Sequence, residues 1–297
     1  MEKIKYALLQ SAWVLLSKIP LPVLYCLSDL LFYPLYYIIR YRRRITRKNL
    51  LESFPEKSRK EITGIEKRFY HFFTDYFFET CKMATFSTEE IKRRMQFDNV
   101  AEIEGLLQAK TSISLYLGHY CNWEWVSSLP VNYDVPALSG QVYHKLHNAY
   151  ADKLFLRNRS RFGAINIEMR DTLRWIHSNR KEEKTLITGY IADQAPKSNS
   201  IHHWIRFLNH TTPALTGAEK ITKRYDFKAY YLHIRRVKRG YYRAGFVLLH
   251  DNPQTLPDFE LTDLYFKQLE KTIRDCPEYY LWSHNRFKYQ RPESSPA

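Results

Sequence analysis

Residues 118–125 read GHYCNWEW and place a histidine, His119, and a carboxylate, Glu124, five positions apart, directly after the apolar run TSISLYL that begins at Thr111. An imidazole with a carboxylate on its ring N–H is a general base with an orienter: the acid fixes the tautomer and stabilises the imidazolium. The spacing constrains where the pair can sit. On one continuous helix a separation of five turns the two side chains about 140° apart, so they would face away from each other. His119 must therefore precede the helix, at a strand-to-helix turn, with Glu124 one turn in and folding back to the ring. The helix start would add free backbone N–H groups able to hold an anion or a developing oxyanion. The plain alternative is a loop histidine with an unrelated surface acid. A chemical rival makes Cys121 a thiolate nucleophile activated at the helix N-terminus and paired with His119, although no second orienting acid belongs to that arrangement.

Other polar residues are candidates for binding rather than proton transfer. Arg159 and Arg161 could hold a phosphate or neutralise an oxyanion, or could decorate an exposed helix together with Arg157. Asp193, with Gln194 beside it, comes at the end of the apolar run ITGYIA, where a carboxylate is a site residue, a helix cap or a loop ion pair. His284, Arg286 and Lys288 lie among aromatics and read as structural or membrane-surface residues. For an apolar groove beside His119, the nearest side chains are Trp125, Val126 and Leu129 on one helical face, with Trp123 turned away from them toward the core.

These residues need a scaffold that brings strand ends together. Ser58 and Glu61 form a capping box ahead of a helix striped by Ile62, Ile65, Phe69, Phe72, Phe73, Tyr76 and Phe77, and Ser87 with Glu90 opens another. Strands are expected at 111–117, 135–143, 185–192, 227–237 and 241–250, the last two joined by the turn residues Lys238, Arg239 and Gly240. Helices are expected at 148–162, 172–178, 213–223 and 258–274. Strands alternating with helices predict an α/β fold, a mixed sheet flanked by helices, behind an N-terminal membrane-associated helical segment. The implied organisation is an anchor with its basic flank at 1–48 and a catalytic domain at 49–297. The tyrosines at 230, 231, 241 and 242 read as sheet packing.

The anchor rests on residues 21–39, LPVLYCLSDLLFYPLYYII, in which Asp29 is the one charge, closed by Arg40, Arg42, Arg43, Arg44, Arg47 and Lys48. At helical rise this run covers about 28 Å, close to a bilayer core of roughly 30 Å. It lacks the flanks and cleavage pattern of a signal peptide. Pro22, Pro34 and Asp29 leave three forms open: a single span, a kinked helix lying in the interface, or a buried helix of a soluble domain. The basic run reads as attraction to anionic head groups and puts the rest of the chain on the cytoplasmic side. Across the 297 residues, 46 Lys and Arg against 31 Asp and Glu give a net charge of +15, which calls for an anionic partner: nucleic acid, an anionic membrane, or an acidic protein or phosphorylated substrate. The 44% hydrophobic content rules out disorder. Four scattered cysteines without a CxxC pair indicate neither a disulfide framework nor a zinc site. Basic residues interleaved with aromatics across 228–243 could also bind RNA, but no RNP-like or GXXG signature accompanies them, and the apolar N-terminus would be unexplained.

GHYCNWEW resembles the H-x4-D/E motif of the lipid A biosynthesis (lauroyl/myristoyl) acyltransferases, within the lysophospholipid acyltransferase superfamily. Tyr143, Leu146 and Asn148 resemble the next block of that family, and Arg159, Arg161, Phe162 and Gly163 the one after it. Asp193, Gln194 and Pro196 are similar to its DQ block, and Phe207 and Thr212 to a Phe-rich stretch ahead of a Thr. Pro277, Glu278, Tyr280, Trp282, His284, Arg286, Phe287, Lys288, Arg291 and Pro292 resemble its C-terminal signature. Cys121 departs from a usual Gly, Lys145 from a frequent Pro and Asn285 from an Arg. The resemblance implies an O-acyltransferase that moves a fatty acyl chain from acyl carrier protein, or coenzyme A, to a hydroxyl of a lipid A precursor. That reaction takes place at the cytoplasmic face of the inner membrane. It implies His119 as base, Glu124 as orienter, and Asn122, Arg159, Arg161, Asp193 and Gln194 as substrate-binding residues. No metal, cofactor or nucleic acid enters the implied reaction. Acyl carrier protein, the phosphorylated acceptor and the anionic membrane would all be drawn to a +15 surface. Another glycolipid or an amino-acid lipid is the alternative acceptor.

Overall fold

A computed structural model describes residues 2–289 and 291; Pro292, at the end of the C-terminal signature, lies outside them. The chain opens with helices α1 (Glu2–Lys18), α2 (Leu21–Tyr33), α3 (Arg43–Ser53) and α4 (Arg59–Lys82), and a π-helical turn, Pro34–Ile39, extends α2. Next come α5 (Thr88–Arg94), β1 (Met95–Asp98) and α6 (Val100–Gln108). Strands and helices then alternate through β2 (Ile113–Leu117), β3 (Leu138–Tyr143), α7 (Ala149–Arg159), β4 (Ile165–Glu168), α8 (Thr172–Lys181) and β5 (Leu186–Ile191). A short hairpin of β6 (Trp204–Phe207) and β7 (His210–Pro213) leads to α9 (Gly217–Arg224), the long hairpin β8 (Lys228–Lys238) and β9 (Tyr241–His250), and α10 (Glu260–Asp275).

Among the described residues the strands form a seven-stranded sheet in the order β1-β9-β8-β2-β5-β3-β4, with β6 and β7 as a separate pair. Neighbours in the large sheet run parallel except β8 against β9. The mixed α/β architecture agrees with the sequence. Every residue of the central strand ISLYL is buried, as a parallel strand covered on both faces requires. Tyr230, Tyr231 and Tyr242 are buried in the sheet, while Lys228, Arg235 and Arg243 pair with Asp251 and Asp98. The capping box at Ser58 and Glu61 forms as expected.

Several expectations need correction. The predicted helix at 213–223 begins at Gly217, because Pro213 closes β7. The helix expected after GHYCNWEW is a 3-10 helix, Trp125–Asn132. It contains Pro130, which has no N–H to give an α-helical ladder. Short strands β1, β4, β6 and β7 are four residues each, too short to show an alternation.

The apolar N-terminal run is long and apolar enough to cross a membrane by length and composition, yet one side of it is docked. Leu21, Leu24, Ser28, Phe32 and Tyr36, spaced three or four apart, are buried, and α2 packs along α4. The opposite side exposes Val23, Leu27, Leu30, Ile38 and Ile39. Asp29 is bound by both terminal nitrogens of Arg239, and Arg239 also reaches Asp75, whose carboxylate accepts Ser28 Oγ at 2.7 Å. The one charge in the run thus adds an ion pair to the docked side. The basic flank is divided too. Arg43 and Arg47 turn inward to the buried Glu66 at 2.8 and 2.7 Å, whereas Arg40, Arg44 and Lys48 are exposed.

Truncation separates the two faces. Leu24→Ala is expected to cost about 2–5 kcal/mol, as for a core leucine, and Leu30→Ala no more than about 0.5 kcal/mol. Unfolding midpoints in detergent measure both, and equal shifts would mean that α2 is not docked through the Leu24 face.

Candidate active site

Strands β2, β5 and β3 are parallel neighbours, so their carboxyl ends share one edge, where ligand sites of such sheets lie. The register pairs Leu117 with Ile191. Two residues beyond each stand His119 and Asp193, and the equal overhang brings them together. His119 Nδ1 meets Asp193 Oδ1 at 2.7 Å, and the His119 backbone N–H donates to the same oxygen at 3.2 Å. Gly118 lets this turn lie against α10, since a Cβ there would come within 2.6 Å of Leu269 Cδ1.

The imidazole is partly exposed, with 17% of its side-chain surface accessible, whereas Asp193 is buried at 2%. Burial by itself would raise the Asp193 pKa, but the charge and hydrogen bonds of His119 prevail and hold it below its ordinary value. With Nδ1–H committed to Asp193, Nε2 is left with the Gln194 amide, 3.3 Å away, as its partner. A His held by a buried carboxylate on one nitrogen, with a neutral amide at the other, has the arrangement that general-base chemistry uses. Trp123 meets the ring edge-on at 5.2 Å and stacks on Tyr76 at 4.3 Å.

Glu124 is not the acid on the ring. Its carboxylate is buried and takes a two-pronged pair from Arg159, Nε at 2.7 Å and Nη2 at 2.6 Å, with Tyr76 Oη at 3.4 Å. The reason is the 3-10 geometry: Glu124 caps that helix instead of standing one α-turn inside it, and it points to the end of α7. Burial works against the Arg159 charge, but Glu124 outweighs it and stabilises the cation. Arg159 is therefore an interior ion-pair partner with 22% of its side chain accessible. Arg161 is exposed and donates to the Phe86 carbonyl.

Asn122, expected to contact substrate, is fully buried. Its amide donates to Glu79 at 2.7 Å and its oxygen accepts the Trp125 N–H at 3.2 Å. The nucleophile rival fails on the same ground. Cys121 is fully buried and burial pushes its thiol far up, so a thiolate is disfavoured. Its φ of 52° lies in the left-handed region, which gives the physical reason why Gly is usual there. The expected groove face is not open, while Trp123 is buried as expected. Trp125 and Leu129 are core residues and Val126 is half-buried, while Trp123 is the residue against the imidazole.

The C-terminal signature closes the other side. Tyr120 pairs with Tyr280 in an antiparallel bridge, and Leu281 N–H donates to the His119 carbonyl at 3.1 Å. Burial, then the Asp193 charge, pushes the Tyr280 hydroxyl far up, so it remains protonated. Burial lowers His284 to about 4, so it is neutral at physiological pH. Arg286 is buried and donates to Thr212 Oγ1 at 2.6 Å and the Pro213 carbonyl at 2.8 Å, which joins two of the sequence blocks in space. Tyr76 and Tyr280 were not among the sequence candidates. Tyr76 belonged to an apolar helix stripe, where periodicity signals burial and nothing more.

A partly exposed His–Asp pair between the carboxyl ends of parallel strands, beside an aromatic wall and an Arg–Glu ion pair, can activate a hydroxyl or water. The chain belongs to the bacterial lipid A biosynthesis acyltransferases, whose family model matches residues 2–289. Among curated proteins no sequence matches significantly.

Two substitutions distinguish the acids. Glu124→Gln strands the Arg159 guanidinium and should destabilise the fold by about 3 kcal/mol, the lower end for a broken buried pair, because Arg159 is partly hydrated. Asp193 behaves differently with pH. Its folded pKa lies below the ordinary 3.8, so ionised Asp193 contributes stability above that value and the increment is lost as pH falls through the lower folded pKa. Thermal unfolding from neutral pH into acid should show Asp193→Asn less stable than wild type at neutrality and the gap closing in acid.

Proposed function

We propose that this acyltransferase moves a fatty acyl chain from a thioester of acyl carrier protein, or of coenzyme A, to a hydroxyl of a lipid A precursor, with His119 Nε2 as general base. The observation that carries the reading is the His119–Asp193 pair, with Nδ1 on the buried carboxylate and the ring partly exposed. Nε2 takes the acceptor hydroxyl proton as that oxygen attacks the thioester carbonyl; when the tetrahedral intermediate collapses, the C–S bond breaks and the imidazolium returns the proton to the leaving thiolate. Asp193 stabilises the imidazolium between the two transfers. Glu124 acts through Arg159, holding a guanidinium near the aromatic wall, where it can meet phosphate or the developing oxyanion. Gln194 is placed to bind the acceptor hydroxyl that displaces its amide from Nε2.

The exposed apolar side of α2 and the π-helical turn, continued by Arg40, Arg44 and Lys48, suits a helix lying at an anionic membrane surface. We place the protein there, at the cytoplasmic face of the inner membrane, where acyl carrier protein, an acidic donor, can approach its basic surface.

Purified enzyme, a panel of acyl carrier protein thioesters and a lipid A precursor test the chemistry. His119→Ala should lower transfer by roughly 10²- to 10⁴-fold with folding retained, and Cys121→Ala should leave it near wild type; near-normal turnover by His119→Ala removes the assignment. For the membrane, high-salt washing should leave the protein bound and detergent should release it, because apolar burial is not screened by salt. Full release by salt would make charge the sole attachment.

A further inference from the structure

Helix α4 carries a buried acid that the proton transfers at His119 leave unused. Glu79 is fully buried, and its carboxylate accepts three hydrogen bonds from three separate elements. Tyr25 Oη of α2 reaches Oε1 at 2.9 Å, and Asn122 Nδ2 and Tyr242 Oη each reach Oε2 at 2.7 Å. The Glu79 backbone carbonyl also accepts Trp125 Nε1 at 3.1 Å. The C-terminal segment holds the turn from His119 to Trp125 on one side, at the His119 carbonyl and the Cys121 N–H, and Glu79 holds it on the other through an amide and an indole together. Burial pushes the Glu79 pKa up, a cost that an apolar residue would not carry. What a satisfied polar cluster supplies in return is a single geometry.

We propose that Glu79 is a positioning residue for His119: by fixing Asn122 it sets the turn at Cys121 and so the direction of the imidazole, and through Tyr25 it ties that direction to the seating of α2. The proposal rests on the reading of His119 as general base. Cys121, between His119 and Asn122, holds a left-handed backbone, and such a residue persists only where its surroundings over-determine it. Without the carboxylate, the Asn122 amide loses its buried acceptor, the turn can relax, and the imidazole leaves its setting between Asp193 and Trp123. On the α2 side, the Tyr25 hydroxyl has little room to drift. A Cβ at Gly240 would come within 2.1 Å of it, so a shift of α2 is passed to Glu79 and not absorbed locally. A helix with an apolar outer face is thereby linked to the catalytic turn.

The test uses the full-length enzyme with an acyl carrier protein thioester and a lipid A precursor. Glu79→Gln can keep the network, with its carbonyl toward Asn122 and Tyr242 and its amide donating to the Tyr25 oxygen; Glu79→Leu cannot. Per folded enzyme, Glu79→Leu is expected to lower kcat on the order of 10- to 100-fold with KM nearly unchanged, as misplacement of a catalytic group does. Glu79→Gln should restore most of it, and Asn122→Ala should reproduce the loss. Tyr25→Phe, which keeps the acid and cuts the α2 link, should lower kcat by about fivefold, one hydrogen bond's worth. The ¹H–¹⁵N imidazole signals of His119, identified by their loss in His119→Ala, should move in Glu79→Leu and return in Glu79→Gln. Signals that move in a wild-type background lacking acyl transfer would sink the acyl-transfer reading and keep the positioning role. Unmoved signals and unchanged kcat in an active background would overturn the positioning role and keep the reading. A raised KM at constant kcat in Asn122→Ala would also overturn it, in favour of substrate contact by Asn122. If Glu79→Leu does not fold, Asn122→Ala and Tyr25→Phe decide the question, and wild-type kcat in both rejects it.

Discussion

The pairing of Leu117 with Ile191 is the constraint on which the site depends. Because β2 and β5 run parallel, the residue two steps past one strand meets the residue two steps past the other, and these are His119 and Asp193. A slip of one residue would turn every side chain of a strand to the opposite face and part the two. The register is held by burial along both strands, in all of ISLYL and in four of the six residues of LITGYI. The backbone N–H of His119 shares the Asp193 oxygen with the ring, so the carboxylate orients the turn as well as the imidazole.

Helix α4 does for the periphery what that register does for the centre. Glu66, Asp75 and Glu79 are all buried on it. Glu66 takes Arg43 and Arg47 of α3. Asp75 takes Ser28 of α2 and Arg236 and Arg239 of the long hairpin. Asp75 and Glu79 stand one turn apart on the same face, a like-charge spacing that repels, and the flanking arginines answer it. The apolar N-terminal run is consequently part of the folded body through its inner face. Lone buried charges are costly, and paired ones hold a specific arrangement better than they add stability. That suits a segment that must be docked on one side and apolar on the other.

The surface charge also reads differently once the pairs are known. Several arginines that contribute to the +15 are turned inward onto α4 or Glu124. The cations left outward beside the exposed apolar face include Arg40, Arg44 and Lys48.

Much of the fold was determined by the sequence alone, because strand and helix periods are local properties. The apolar runs at 111–117 and 185–192, the hairpin around Gly240, the Ser58 capping box and the amphipathic helix behind it are all set by spacing within a few residues. So was His119, since a histidine just past a buried strand can only lie at the sheet edge. Its partner was decided by tertiary structure. Glu124 was the near acid in sequence and Asp193 the near acid in space, because parallel pairing joins residues 74 apart and no local pattern encodes which strand lies beside which. The same holds for Asn122 and Trp123. The family resemblance implied substrate contact for one, and helical spacing implied core packing for the other. The turn ahead of the 3-10 helix buries the amide on Glu79 and sets the indole, itself part of the core, edge-on to the imidazole.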